Sequence, residues 1–182
     1  MKVKFGLKNV YFAVLDETTN TYETPVALPG AVNLSIDAEG EESNFAADDN
    51  PKYFSKFANN GYSGTLEVAL LNEAFLTTVL GQTKDSNGAI IENKNDSVKP
   101  FALLFEVSGD TANRRTVFYK VTASRPSTEA ETTEDSIEVK TEEINITCAG
   151  NSAGDIKATL DQGATGYDTF FSSVYVKNTG SI

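Results

Sequence analysis

The side chains able to do acid–base or metal chemistry in this chain are nearly all carboxylates. Its 182 residues include 26 Asp and Glu, 15 Lys and Arg, a single Cys and no His. Without imidazole there is no Ser-His-Asp or Cys-His pair, no His-bearing zinc site and no imidazole general base. Cys148 ends the alternating run Ile144, Ile146, Cys148, which makes it a small core hydrophobe rather than a nucleophile. No G-x-x-x-x-G-K-[ST] loop or G-x-G-x-x-G turn is present. A carboxylate pair needs one acid with a raised pKa in a closed cleft. Here the acids fall in polar runs. Asp37–Asp49 holds six acids and no base, and Glu129–Glu143 holds seven with only Lys140. Both read as solvated acidic faces. Asp85-Ser86-Asn87-Gly88 opens like a calcium loop. It lacks the spaced Asp/Asn series and the closing Glu, and Asn-Gly makes a turn. The chain is therefore expected to be no enzyme and to need no cofactor or metal.

The elements around these residues are mostly strands. In Pro25–Ile36 the apolar residues Val26, Leu28, Val32, Leu34 and Ile36 all fall on even positions, which is strand period. The phase survives Pro29-Gly30, so one bent strand is expected there. In Thr65–Leu70, Leu66, Val68 and Leu70 should share a face opposite Thr65 and Glu67. Phe101–Val107 alternates but is apolar on both faces, as a central strand is. Arg114–Ser124 returns with Val117, Tyr119, Val121 and Ala123 in one phase, so a hairpin is expected over Phe101–Ser124. Ile137 and Val139 are out of phase with Ile144, Ile146 and Cys148, which predicts a bulge near Thr141–Glu143. One helix is expected over residues 72–80. Asn72 is the N-cap, Phe75/Val79 and Leu76/Leu80 make a four-residue stripe, and Gly81 is the stop.

Phe45–Phe57 shows no clean phase, yet Phe45, Tyr53, Phe54 and Phe57 are too apolar for a loop in water. The segment folds back on the core or lies against another subunit, and its residue types leave both open. At this length one domain spanning 1–182 is expected, large enough to need no disulfide. No apolar run is long enough for a membrane span. The start MKVKFGLKNVYF has no signal-peptide core and reads as a cytosolic start, with Val3, Phe5 and Leu7 on one strand face. The Asn-x-Ser/Thr triplets at Asn33, Asn95 and Asn145 are then chance matches.

Several stretches in order carry a resemblance. They are VKFGLKNVYFAVLD (3–16), PVALPGAVNLSIDAEGE (25–41), NNGYSGTLEVALLNEAF (59–75), FALLFEV (101–107) and YKVTASRPSTEAETTEDSIEVKTEEINIT (119–147). Together they resemble the phi-thirteen-type major tail proteins of long-tailed bacteriophages. The match covers most of residues 3–160, and Thr165–Ile182 matches less clearly. The resemblance implies a mainly β fold: a twisted β-sandwich or half-open barrel with one flanking helix (72–80), a long extended loop (37–60) and extended terminal segments. It implies a tail-tube subunit that self-assembles into stacked hexameric rings. The tube would be the conduit through which DNA passes without sequence-specific binding. Tape measure, distal-tail and tail terminator proteins are the implied partners. The implied location is the virion, after synthesis in the host cytoplasm, with no membrane association.

Two sets of candidate residues follow. Phe45, Pro51, Tyr53, Phe54 and Phe57 are candidates for contact between rings. Glu67, Glu138 and Glu142, set on strands, are candidates for acids facing the lumen. A basic lumen would hold DNA phosphates, and an acidic one would let them pass. Solvent-face acids are the competing reading. Lys2, Lys4 and Lys8 read as solvated lysines before they read as contacts. Two other classes remain open: a monomeric β-sandwich ligand-binding or adhesin module, and a carboxylate-dependent hydrolase. The absence of Trp weighs against a sugar-stacking module.

Overall fold

The computed structural model describes residues 6–47, 49–107, 109, 112–128 and 140–177. In chain order the elements are β1 (Leu7–Asp16), β2 (Thr21–Tyr22), β3 (Val26–Ala27), β4 (Ala31–Glu39), β5 (Glu42–Ala47) and β6 (Asn50–Phe57). Then come β7 (Gly61–Val68), α1 (Glu73–Thr78), β8 (Thr83–Lys84), β9 (Ile90–Ile91), β10 (Phe101–Val107), β11 (Arg115–Ala123), β12 (Glu142–Ala149) and β13 (Lys157–Leu160). One antiparallel sheet runs β2-β1-β10-β11-β12-β7-β4, with β3 beside β1 and β13 beside β11. The mainly β expectation is met, and so is the central place of β10.

The sheet rolls without closing. β1 and β4 approach each other but share no ladder. Pro25–Ile36 spans the gap, which corrects the single bent strand expected there. β3 pairs with β1 through Tyr11↔Ala27 and Phe12↔Val26, whereas β4 pairs with β7. Pro29-Gly30 is the turn between the two edges. Gly30 has φ +83°, and a Cβ there would sit 3.2 Å from that of Ala69, so glycine suits both the angle and the space. Leu28 is buried in the gap, but Val26 and Val32 lie exposed, so the shared phase does not bury a shared face.

The concave side holds the main core. Phe12, Leu66, Val68, Phe101, Leu103, Ile144 and Cys148 pack there against Phe75, Val79 and Leu80. Phe12, Phe75 and Phe101 meet edge to face, with centroids 5.1–6.4 Å apart, a favoured arrangement of aromatic quadrupoles. The helix is as expected. The Asn72 side chain accepts from the Phe75 N–H at 2.9 Å, which satisfies one of the first-turn donors.

Two strand readings change. β7 ends at Val68, so Leu70 is exposed instead of continuing the apolar face. In the β10–β11 hairpin the register shifts between Phe101 and Leu103. Val117 and Tyr119 therefore face the convex side, while Val121 and Ala123 face the main core. One extra residue re-aims the rest of a strand, and that splits the single phase expected over Val117–Ala123. Ile137 and Val139, on which the expected bulge near Thr141–Glu143 depended, lie outside the described residues.

The convex side is divided. Over β1, β10 and β11 it is apolar, and residues 161–177 cover it. Tyr167, Phe170 and Val174 bury themselves there against Ala13, Ala102, Leu104, Val117, Tyr119 and Leu160. Over β4, β7 and β12 it is polar, and no described segment covers it. Asn33, Ser35 and Asp37 pair with Glu67, Thr65 and Ser63, which pair in turn with Glu143, Asn145 and Thr147.

Candidate functional site

The segment expected as a long extended loop is a β-hairpin arm. β5 and β6 pair antiparallel, with Glu42↔Phe57, Ser43↔Lys56, Asn44↔Ser55 and Phe45↔Phe54 in register. The sequence showed no phase here because both faces carry aromatics. Phe45 and Phe54 share one face, and alternation puts Tyr53 and Phe57 on the other. All four are at least half exposed (55–73%), and none joins either core cluster. Pro51 lies on β6 near the tip, where Asp49 takes φ +56°. At the base, Ala58 N–H donates to the Glu41 carbonyl and Asn60 N–H to that of Glu39, both at 2.9 Å. Gly40 permits this closure, because a Cβ there would lie 2.3 Å from the Ala58 carbonyl oxygen. The arm thus continues β4 and β7 beyond the body. A two-stranded hairpin is marginal alone in water, and four uncovered aromatics mark a surface that something else covers.

The acid candidates separate. Glu67 is on the convex polar face, half-buried, and accepts from the Thr141 hydroxyl at 2.5 Å. Glu143, not singled out from the sequence, lies directly across from it. Glu142 is across from buried Val68, so it turns to the concave side and accepts from the Leu71 N–H at 2.6 Å. Glu138 lies outside the described residues. The arm candidates are brought together on one hairpin, and the acid candidates are not brought together on one face.

A second uncovered surface is a groove of about 840 Å³ between β4 and the β10–β11–β13 side of the roll. Leu34, Ile36, Tyr62, Phe105 and Phe118 give it an apolar floor. Among the described residues its charged lining is Arg114 and Lys157. The Lys157 ammonium sits 4.6 Å from the Tyr62 ring centroid and 6.0 Å from that of Phe118, within cation–π range.

The most elaborate charged cluster belongs to the fold. Glu106 is buried on β10, with Lys8 at 2.9 Å, Asn9 donating at 3.2 Å and Arg115 at 3.4 Å. Burial pushes its carboxyl up, but these hydrogen bonds and the Lys8 charge outweigh burial and leave it below the usual value. Arg115 also donates to the Tyr167 carbonyl at 2.5 Å and stacks on the Tyr167 and Phe171 rings. The cluster ties residues 161–177 to the sheet. The sequence hid it, because Glu106 alternates with apolar residues as a solvent-facing acid would. Burial raises the Cys148 thiol to about 11, which leaves it protonated and unreactive at neutral pH. Among the described residues no group of three or more His, Cys, Asp or Glu could hold a metal ion. No helix among them is long and apolar enough to cross a membrane.

Residues 1–170 match a protein-family model described as phage tail tube protein. No curated protein sequence matches the chain. Among solved structures, similarity extends to the anti-feeding prophage cap, a tube-terminating cap, at 12% identity and TM-score 0.44. It covers 88% of this chain and 95% of that one. The sheath/tube terminator of an extracellular contractile injection system, PVC, in its extended state, matches at 12% identity and TM-score 0.42. It covers 88% of this chain and 99% of that one.

Proposed function

Because the chain belongs to the phage tail tube protein family, a structural family of the virion rather than an enzyme family, we propose that it is the repeating subunit of a tail tube. In this reading the whole chain, 1–182, is one tail-tube domain. It assembles into stacked hexameric rings that form the conduit for DNA ejection. Tape measure, distal-tail and tail terminator proteins are its neighbours in the tail, and synthesis is in the host cytoplasm. The observation that carries the reading is the arm. Four aromatics on two faces of a free hairpin have no role in the subunit's own cores. They acquire one when a neighbour covers them, and Phe45, Pro51, Tyr53, Phe54 and Phe57 are the contacts we assign between rings.

The polar sheet face is assigned to the lumen, with Glu67 and its cross-strand neighbour Glu143 as the lining acids. Glu138 is carried as a lining candidate from its sequence position, whereas Glu142, expected there too, turns to the concave side and is not assigned to this face. Each copy adds a formal charge of −11. A channel with an acidic wall offers DNA phosphates no counterion-release gain and so does not retain them.

Electron microscopy of concentrated protein tests the reading directly, with rings or tubes of six-fold symmetry expected. Deleting Glu42–Lys56 should block tube growth while circular dichroism still reports the intact β fold. If the shortened protein assembles as the full chain does, the arm is not the stacking element.

A further inference from the structure

We propose that the groove between β4 and β13 is the receptor for the arm of a second copy of this chain. The inference rests on the tube reading and adds where the arm lands. No described residue covers either surface, and the two match in kind. The groove has an apolar, partly aromatic floor, and its charged lining among the described residues is Lys157 and Arg114, the latter also 3.6 Å from the Asp161 carboxylate. The arm offers exposed rings on either face. Its residues 40–58 carry four acids against two lysines, so its charge is opposite to that of the groove. Lys157 is held in place by the Tyr62 and Phe118 rings and has no carboxylate partner among the described residues. A carboxylate arriving with the arm would supply one.

None of the described residues of the arm lines the groove of its own subunit. The contact is therefore between copies. An arm on one surface and a receptor on another form a heterologous pair, which repeats head to tail instead of ending as a two-fold dimer. That is the symmetry a stacked assembly requires.

Mixing two variants tests the pairing. One lacks Glu42–Lys56 and keeps the groove. The other, V32E/K157E, keeps the arm and places two acids at groove positions that are both solvent-exposed, so its fold is retained. Neither variant alone should stack into tubes, as followed by analytical ultracentrifugation, and a mixture should give larger complexes than either alone, one intact arm seated in one intact groove. A mixture that sediments no faster than either variant alone overturns the proposal. So does V32E/K157E protein that assembles like the full chain while the arm deletion does not, and that result leaves the arm's role in stacking intact. A photo-crosslinker at Phe54 gives an independent reading. Crosslinks to peptides containing Tyr62 or Lys157 are expected, and crosslinks confined to other surfaces overturn the assignment.

Discussion

The two halves of the convex sheet face share a backbone and differ in fate. Over β1, β10 and β11 the outward residues are Ala13, Ala102, Leu104, Val117 and Tyr119, and residues 161–177 close over them. Over β4, β7 and β12 the outward residues include Ser35, Thr65, Glu67, Glu143 and Thr147, and no second layer among the described residues covers them. The boundary is the bulge in the β10–β11 ladder, past which Val121 and Ala123 turn inward. Alternation alone decides where a second layer can form. An apolar outward set recruits one from the same chain, and a polar set stays open to solvent.

Changes on the covered half should cost most. Phe170 is fully buried under the terminal segment. F170A should lower stability by about 3–5 kcal/mol, measured by denaturant unfolding, with loss of amide protection across 161–177. Next comes the charged tie. E106Q should cost about 2 kcal/mol at neutral pH, the scale of hydrogen bonds to a charged group. Its pH dependence carries a sign. The folded chain holds the Glu106 carboxyl below its ordinary value of 4.5, so the unfolded chain takes up the proton first. The stabilisation is complete above that value and is lost as pH falls through the lower folded value. The gap between wild type and E106Q should therefore narrow on acidification, as paired unfolding curves at neutral and acid pH would reveal. A constant gap would mean that Glu106 acts through shape and not charge. On the open half, E67K/E143K should leave stability within about 0.5 kcal/mol. Tubes of this variant should instead retain double-stranded DNA, releasing it as salt rises. A stability loss as large as that of F170A would erase the distinction between the halves.

How much the sequence discloses follows the same divide. Helix α1 was legible because Asn72, Glu73 and the Phe75/Val79 pair are local signals. The β10–β11 hairpin and the inward Cys148 followed from period two. The bulge that re-aims Val121 was not legible, because Val117, Tyr119, Val121 and Ala123 keep perfect alternation through it. The terminal layer escaped because turns, not a periodic element, present Tyr167, Phe170 and Val174, although that concentration of rings in a turn-rich segment was a usable signal. The arm escaped as a hairpin because strands with apolar residues on both faces have no phase. Glu106 escaped because its partners Lys8 and Arg115 lie on neighbouring strands.

The Pro29-Gly30 turn has a consequence for the entropy of the fold. Hydrogen-bonded joins in this sheet can tie residues far apart in the chain, Asn9 and Glu106 being 97 positions apart. Loop-closure cost rises with the logarithm of that separation. The gap between β1 and β4 is spanned instead by residues 28–30, so holding the roll shut at that point restrains almost no additional chain. It also asks for no ladder there. The backbone groups of β4 that face away from β7 are left outside any strand pairing among the described residues, while the curvature they sit on is fixed by covalent connection.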